Sequence, residues 1–354
     1  HLYSRRPIPE GLVAPSPNSE PVRPNPHLRF NPMRGEWVGY ASHRQNRTFL
    51  PPPEYNPLAP MRDPRVPTEL PPGEYDVAVF ENLFPALSEQ AHSAPELYVP
   101  TMKGEGVCEV VVFTQDPKAS LASLPLEHVA LILDVWAQRY DELGRRPHIK
   151  YVMPFENRGV EVGVTLHHPH GQIYSYPFVP PVVANKLRQQ KDFQARHGRG
   201  LLADMIAREI KDDLRTLYVS PEAAAFVPVC ARYPYEVWVA PRRQAGSLSE
   251  LSPAERLELA RALKTVLMKY DGLWKRPFPY LMVLHQAPTD GSGPEFHMHF
   301  EFYPPYRTAD KLKYLAGTEL GAGLFANDSL PEEKARELRD VHVELSDLKG
   351  GANG

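Results

Sequence analysis

The sequence predicts an α+β protein, two tandem copies of one unit joined through antiparallel sheet. Three observations predict it. Each half carries strand, helix, strand and then a strand with a His-x-His pair. The pair His297-Met298-His299 echoes His168-Pro169-His170. The shared order of elements marks an internal repeat, although residue identity between the halves is low.

The first 26 residues are polar and Pro-rich and read as an arm. Forty prolines are about twice the ordinary ~5% usage, concentrated in residues 7–73. That stretch is expected to be extended and poorly regular rather than a packed domain. The N-terminal half spans 27–190. Its first clear strand is Cys108 to Phe113. A helix starts near Ser123, where Leu124-Pro125-Leu126-Glu127 supplies a cap and an early proline, and it stops at Gly144-Arg145. Val129, Leu131, Leu133, Val135 and Trp136 feed its buried side. Strand Ile149 to Phe155 follows, then the strand that holds His168-Pro169-His170-Gly171-Gln172 and runs on through Tyr176. A polar linking helix is expected from Pro181 to Leu217.

The C-terminal half spans 191–345. Strands Ala224 to Val229 and Tyr235 to Ala240 lead into a helix opened by Ser252-Pro253-Ala254-Glu255. That is a capping box with proline at the first helical position. Gly272 closes it. Strands Tyr280 to His285 and Glu295 to Phe302 come next, then a capped helix from Ser329 carrying Glu332-Glu333-Lys334. Residues 346–354 read as a flexible tail.

Composition bounds the function. A chain of 354 residues can bury a sizeable core. A net charge of −3 offers no basic field for nucleic acid. No apolar run approaches the ~20 residues that span a bilayer. No signal-peptide pattern precedes residue 27, so a cytoplasmic protein is expected. Cys108 and Cys230 form no CxxC pair and read as two reduced, mostly buried thiols.

The chemistry concentrates in His168-Pro169-His170-Gly171-Gln172. Two histidines two apart on a strand face one way. An imidazole with a pKa near ~6.5 is neutral enough at pH 7 to attack phosphorus without prior activation. Gln172, two residues on from His170, shares the same face.

The run from Pro154 to Gln172 resembles the active-site segment of galactose-1-phosphate uridylyltransferases, a branch of the histidine-triad superfamily. Four further blocks resemble that family in its order: His27 to Val38, Ser42 to Arg47, Phe80 to Pro85, and the C-terminal blocks Pro279 to Pro288 with Phe302 to Pro305. The resemblance implies two histidine-triad-like halves in a homodimer with shared active sites. It implies that His170 is the nucleophile and forms a covalent uridylyl-His170, that Gln172 donates to a phosphoryl oxygen, and that the His168 carbonyl holds the other ring nitrogen of His170. It implies phosphate contacts from Arg44, Arg47, Asn157 and Thr165, and a nucleobase pocket with Phe80 as wall and Asn82 as amide. The neighbouring position that often carries aspartate is Leu83 here. Lys313 and Glu319 are implied to reach the partner's site, on phosphate and sugar hydroxyls. Thr318 and Phe325 depart from the family's usual tyrosine and glutamine.

The family's metals divide. A CxxC pair, a downstream histidine and the first histidine of the motif hold zinc in many members. Here Leu50 to Pro57 lacks cysteine and Pro117 takes the histidine position. One imidazole is not a zinc site, so that site is expected to be absent, with His168 supporting its strand by hydrogen bonds. A second family site uses three histidines and a glutamate. His285 and His299 match two, Glu301 replaces the third, and Lys186 falls at the glutamate. This His, His, Glu cluster reads either as a holder of one zinc or iron ion or as a hydrogen-bonded core cluster.

The expected activity is exchange of UMP between UDP-glucose and galactose 1-phosphate by a ping-pong path. The alternatives are an adenylyl-transferring phosphorylase of ADP-glucose or dinucleotides, a hydrolase, and a non-catalytic sugar-nucleotide-binding protein.

Overall fold

The structure, a computed structural model, describes residues 1–13, 24–46 and 55–344. The strands of the N-terminal half are β1 (Leu2–Tyr3), β2 (His27–Asn31), β3 (Glu36–Tyr40), β4 (Val77–Glu81), β5 (Thr101–Lys103), β6 (Val107–Val112), β7 (Tyr151–Arg158) and β8 (His170–Tyr176). Helix α1 (Leu126–Gly144) lies between β6 and β7. Helices α2 (Pro181–His197) and α3 (Leu201–Asp212) link the halves. The second half holds β9 (Thr216–Val219), β10 (Ala223–Phe226), β11 (Val237–Pro241), α4 (Pro253–Leu273), β12 (Tyr280–His285) and β13 (His299–Tyr303), and α5 (Pro331–Arg339) ends it.

Ten strands form one sheet in the order β1-β4-β6-β8-β7-β12-β13-β11-β10-β9, every pair antiparallel. The seam is β7 against β12, where Asn157 faces Leu281 and Phe155 faces Val283. Outward from it the strands run β7, β8, β6, β4 on one side and β12, β13, β11, β10 on the other. Chain order repeats too: β4-β6-α1-β7-β8, then β10-β11-α4-β12-β13. The expected α+β tandem repeat is therefore the architecture.

Strand alternation divides the core between the two faces of the sheet. On one face Val152, Ala223 and Ala225 pack with Trp136 and Leu133 of α1 and Leu263 and Leu267 of α4. On the other, Tyr151 packs with Val183 and Leu187 of α2, and Ala224 and Phe226 with Leu202 and Ile206 of α3. Each fully buried Leu or Val on these helices contributes about 1.5–3 kcal/mol. The capping box at α4 forms as expected, Ser252 accepting from Glu255 N–H and Glu255 accepting from Ser252 N–H.

Several expectations need correction. The linker is two helices, because Gly198 closes α2 in the left-handed region at φ 66°, and Thr216 to Val219 is a strand. In α1 it is Ile132, not Leu131, that is buried. Leu330 precedes α5 without a side-chain cap; Ser329 bonds Asn327 instead. Part of the Pro-rich stretch is regular: β2 and β3 form a hairpin joined by β5. Residues 27–46 hold one proline, Pro32, and it sits in the turn with Gly35 at φ 67°. Cys230 is exposed, while Cys108 is buried. The tail 346–354 lies outside the described residues, as does most of 1–26 beyond residue 13. Among the described residues no helix is long and apolar enough to cross a membrane.

Candidate active site

β8 starts at His170, so His168 lies just before the strand rather than in it. His170 pairs with Val112 of β6, and Gln172 pairs with Val110 of β6 and Phe155 of β7. Period-two alternation puts His170 and Gln172 on one face. Gly171 between them is a steric requirement. A Cβ there would stand 2.7 Å from Phe113 Cζ and 2.8 Å from the Phe155 carbonyl.

His170 Nδ1 lies 2.7 Å from the His168 carbonyl. A carbonyl only accepts, so Nδ1 carries the proton and Nε2 keeps the lone pair. Burial lowers the ring's pKa, against the opposing pull of that hydrogen bond, which favours the neutral nucleophile at pH 7. His168 holds the opposite tautomer. Its Nε2 donates to the Thr114 carbonyl at 2.7 Å, and its Nδ1 accepts from Asn56 Nδ2 at 2.8 Å. Asn56 is itself oriented by the Leu58 N–H on its Oδ1.

The Gln172 amide can be oriented the same way. Phe84 N–H reaches Asn82 Oδ1 at 2.9 Å, so Asn82 turns its NH2 outward, 3.3 Å from Gln172 Oε1. Gln172 then faces its own NH2 away from Asn82 as a free donor. Arg44, on the turn Ser42–Asn46, donates to the Phe84 carbonyl at 2.7 Å and to Tyr174 Oη at 3.3 Å. Among the described residues it pairs with no carboxylate, so its charge is available to an anion.

Arg44, Asn82, Thr165, His170 and Gln172 line one cavity of about 130 Å³. His170 also lines a larger one of about 700 Å³ that includes Asn157, Lys118 and Arg276. The His170 imidazole thus borders two clefts. Phe80 packs beneath the small cavity with Val110 and Leu58 and does not line it. Arg47 lies outside the described residues. Lys313 and Glu319 are buried together at 3.6 Å and line neither cavity that His170 borders. Glu319 accepts from Ala316 N–H and Ala326 N–H, and Lys313 donates to the Ala326 carbonyl.

Sequence reasoning missed three contributors. Asn56 fixes His168, Tyr174 meets Arg44, and Glu69 lines the small cavity with its carboxyl pushed by burial to about 7. Tyr174 could have been found, since it lies on the Gln172 face by strand alternation; Asn56 and Glu69 carry no local signal.

The two family metal sites fit these residues poorly. Both His168 nitrogens are already used, and Pro117 offers no ligand. In the second cluster the Lys186 ammonium lies 3.0 Å from His299 Nε2 and bonds Glu301 Oε1. Both donor atoms that would bind a metal therefore face a cation already. His285 Nδ1 is buried without a partner among the described residues, but one free nitrogen does not make a site. No group of three or more metal-type side chains among the described residues could hold an ion.

The fold and this site define a tandem-repeat α+β protein with a backbone-held histidine on a strand. Residues 19–180 match the galactose-1-phosphate uridyl transferase N-terminal domain, and residues 186–349 match its C-terminal domain. The chain belongs to the galactose-1-phosphate uridylyltransferase family and is an enzyme of uridylyl transfer. A galactose-1-phosphate uridylyltransferase of Thermotoga maritima is 38% identical, covering 90% of this chain and 99% of that one. One from Rattus norvegicus is 32% identical over 90% of this chain and 89% of its own. A solved uridylyltransferase superposes with a TM-score of 0.77 at 33% identity, covering 89% and 98%. An Arabidopsis thaliana ADP-glucose phosphorylase shares the fold, with a TM-score of 0.66 at 24% identity over 90% and 100%.

Proposed function

We propose that this enzyme exchanges UMP between UDP-glucose and galactose 1-phosphate through a covalent uridylyl-His170, as a cytoplasmic homodimer. The observation that carries the reading is the proton on His170 Nδ1, which leaves Nε2 nucleophilic beside the free amide of Gln172. Nε2 attacks the α-phosphorus of UDP-glucose. The Nε2–P bond forms, the bond to the β-phosphoryl oxygen breaks, and glucose 1-phosphate leaves. The Nδ1–H bond to the His168 carbonyl stabilises the charge that develops on the ring. A phosphate oxygen of galactose 1-phosphate then attacks the same phosphorus, and Nε2 departs with its electron pair. No proton is gained or lost overall.

In this reading Gln172 NH2 and Arg44 meet the phosphoryl oxygens whose charge grows in the transition state. Asn157 and Thr165 contact the phosphates from the two clefts, and Phe80 backs the base. Lys313 and Glu319 serve the partner's site. The dimer is supported by the segment around them, where Tyr314, Leu320 and Leu324 are exposed apolar side chains.

Intact-protein mass after incubation with UDP-glucose alone tests this reading. The expected result is a gain of one UMP, removed on adding galactose 1-phosphate and absent in His170→Ala. A gain of AMP from ADP-glucose instead would move the enzyme to the adenylyl-transferring reading. No adduct from either nucleotide would sink the covalent mechanism.

A further inference from the structure

The C-terminal half repeats the active-site geometry. His299 opens β13 as His170 opens β8. Its Nδ1 lies 2.9 Å from the His297 carbonyl, and His297 Nε2 donates to the Pro241 carbonyl at 2.8 Å. By the argument used for His170, His299 Nε2 keeps a lone pair. Here, however, the residue two positions on is Glu301. Its Oε1 is 3.1 Å from His299 Nε2, so two acceptors confront each other in a buried site. A hydrogen-bond donor has to serve both of them, and beside a buried carboxylate a cationic one satisfies the charge as well.

We infer that the ammonium of Lys186 is the resident cation of this cluster, in the place a divalent metal ion would otherwise take, and that the C-terminal half therefore works without one. Lys186 donates to both confronting acceptors. The other carboxylate oxygen accepts from Tyr303 O–H, with the Arg232 guanidinium at 3.7 Å. The Trp238 ring lies under the ammonium, its centroid 5.9 Å from Nζ, a second favourable contact for a cation. Glu301 is almost wholly buried, so only this set of partners keeps it ionised. The charges also balance by position: a lysine on α2 answers a glutamate on β13, tying the linker to the sheet across 115 residues.

Metal analysis of the untagged full chain, expressed in medium supplemented with zinc and iron and then dialysed, tests this. The wild type is expected to hold no zinc or iron at the cluster. Lys186→Glu removes the ammonium and adds a carboxylate, and is expected to gain one zinc per chain and a melting temperature that rises with added zinc. Lys186→Ala removes the ammonium without supplying a ligand and is expected to stay free of zinc, since His285, His299 and Glu301 alone form no metal-holding group. A wild type that carries one metal per chain, lost in His299→Ala, overturns the inference. So does failure of a folded Lys186→Glu variant to take up zinc; should it not fold, the wild-type metal content alone decides.

Discussion

Asn82→Asp separates orientation from recognition. In the wild type, the Phe84 N–H pins Asn82 Oδ1, and Asn82 Nδ2 in turn pins Gln172 Oε1. Aspartate still accepts from Phe84, but it cannot donate. Gln172 then turns its NH2 toward the new carboxylate and presents its carbonyl to the phosphoryl oxygens. The Asn82–Gln172 hydrogen bond itself, long at 3.3 Å, is worth only about 0.5–1.5 kcal/mol. Losing a donor aimed at developing phosphoryl charge costs about 2.7–4 kcal/mol, or a rate factor of roughly 10²–10³. The expected result is thus a loss far larger than the bond that was broken. Single-turnover uridylylation, read by intact mass, should slow by that factor in Asn82→Asp and in Gln172→Ala. The double variant should be little slower than either single one, a coupling of roughly 3 kcal/mol, about the whole cost of one substitution. Asn82→Ala, which adds no charge, should fall between them and the wild type. An Asn82→Asp enzyme with an unchanged single-turnover rate and only a raised KM would refute the reasoning, because that pattern belongs to uniform binding of the base.

Two further outcomes follow from buried titratable groups. Burial pushes Glu156 to about 7, with Arg158 and the Tyr280 hydroxyl opposing. Its folded pKa thus exceeds its ordinary one of 4.5. The folded chain keeps the proton longer, so the stability this group lends is full below pH 4.5 and gone above about 7, a swing of up to about 3 kcal/mol. Glu156→Gln should flatten that part of the urea-midpoint profile and be stabilising at pH 8; equal effects at pH 4 and pH 8 would show that Glu156 does not titrate in this window. Burial raises the Cys108 thiol to about 11, whereas Cys230 is exposed. A thiol reagent should modify one cysteine per native chain and two after denaturation, with Cys230→Ser abolishing the native reaction.

The shared face of His170 and Gln172 was legible because its signal is local. His170, Gly171 and Gln172 sit on one short strand, and period-two alternation places the two outer side chains together without knowledge of the rest. The capping box of α4 was legible for the same reason. The invisible parts are contacts across long separations. Asn56 meets His168 over 112 residues, and Asn82 meets Gln172 over 90. Neither partner carries a pattern that names the other. Gly171 shows the difference most clearly. In sequence it reads as backbone freedom, yet it is required because Phe113 and Phe155, from neighbouring strands, leave no room for a Cβ. The linker was misjudged because polarity alone runs through Gly198; only the left-handed turn there ends α2.

The two halves show how little separates a reactive imidazole from an inert one. Both histidines are held by the carbonyl two residues back, at 2.7 Å and 2.9 Å. Both therefore keep a lone pair on Nε2. What differs is the residue two places on. Gln172 is neutral and, once its oxygen is engaged by Asn82, has hydrogens to give to a phosphate. Glu301 is an anion, and any phosphate near His299 would meet its charge at close range. Neutralising it takes an ammonium, and the ammonium then covers the imidazole lone pair itself. The same lysine that stabilises the buried carboxylate thus covers the one free imidazole nitrogen, and in the proposed mechanism phosphoryl chemistry falls to the half where the residue two places after the histidine is an amide.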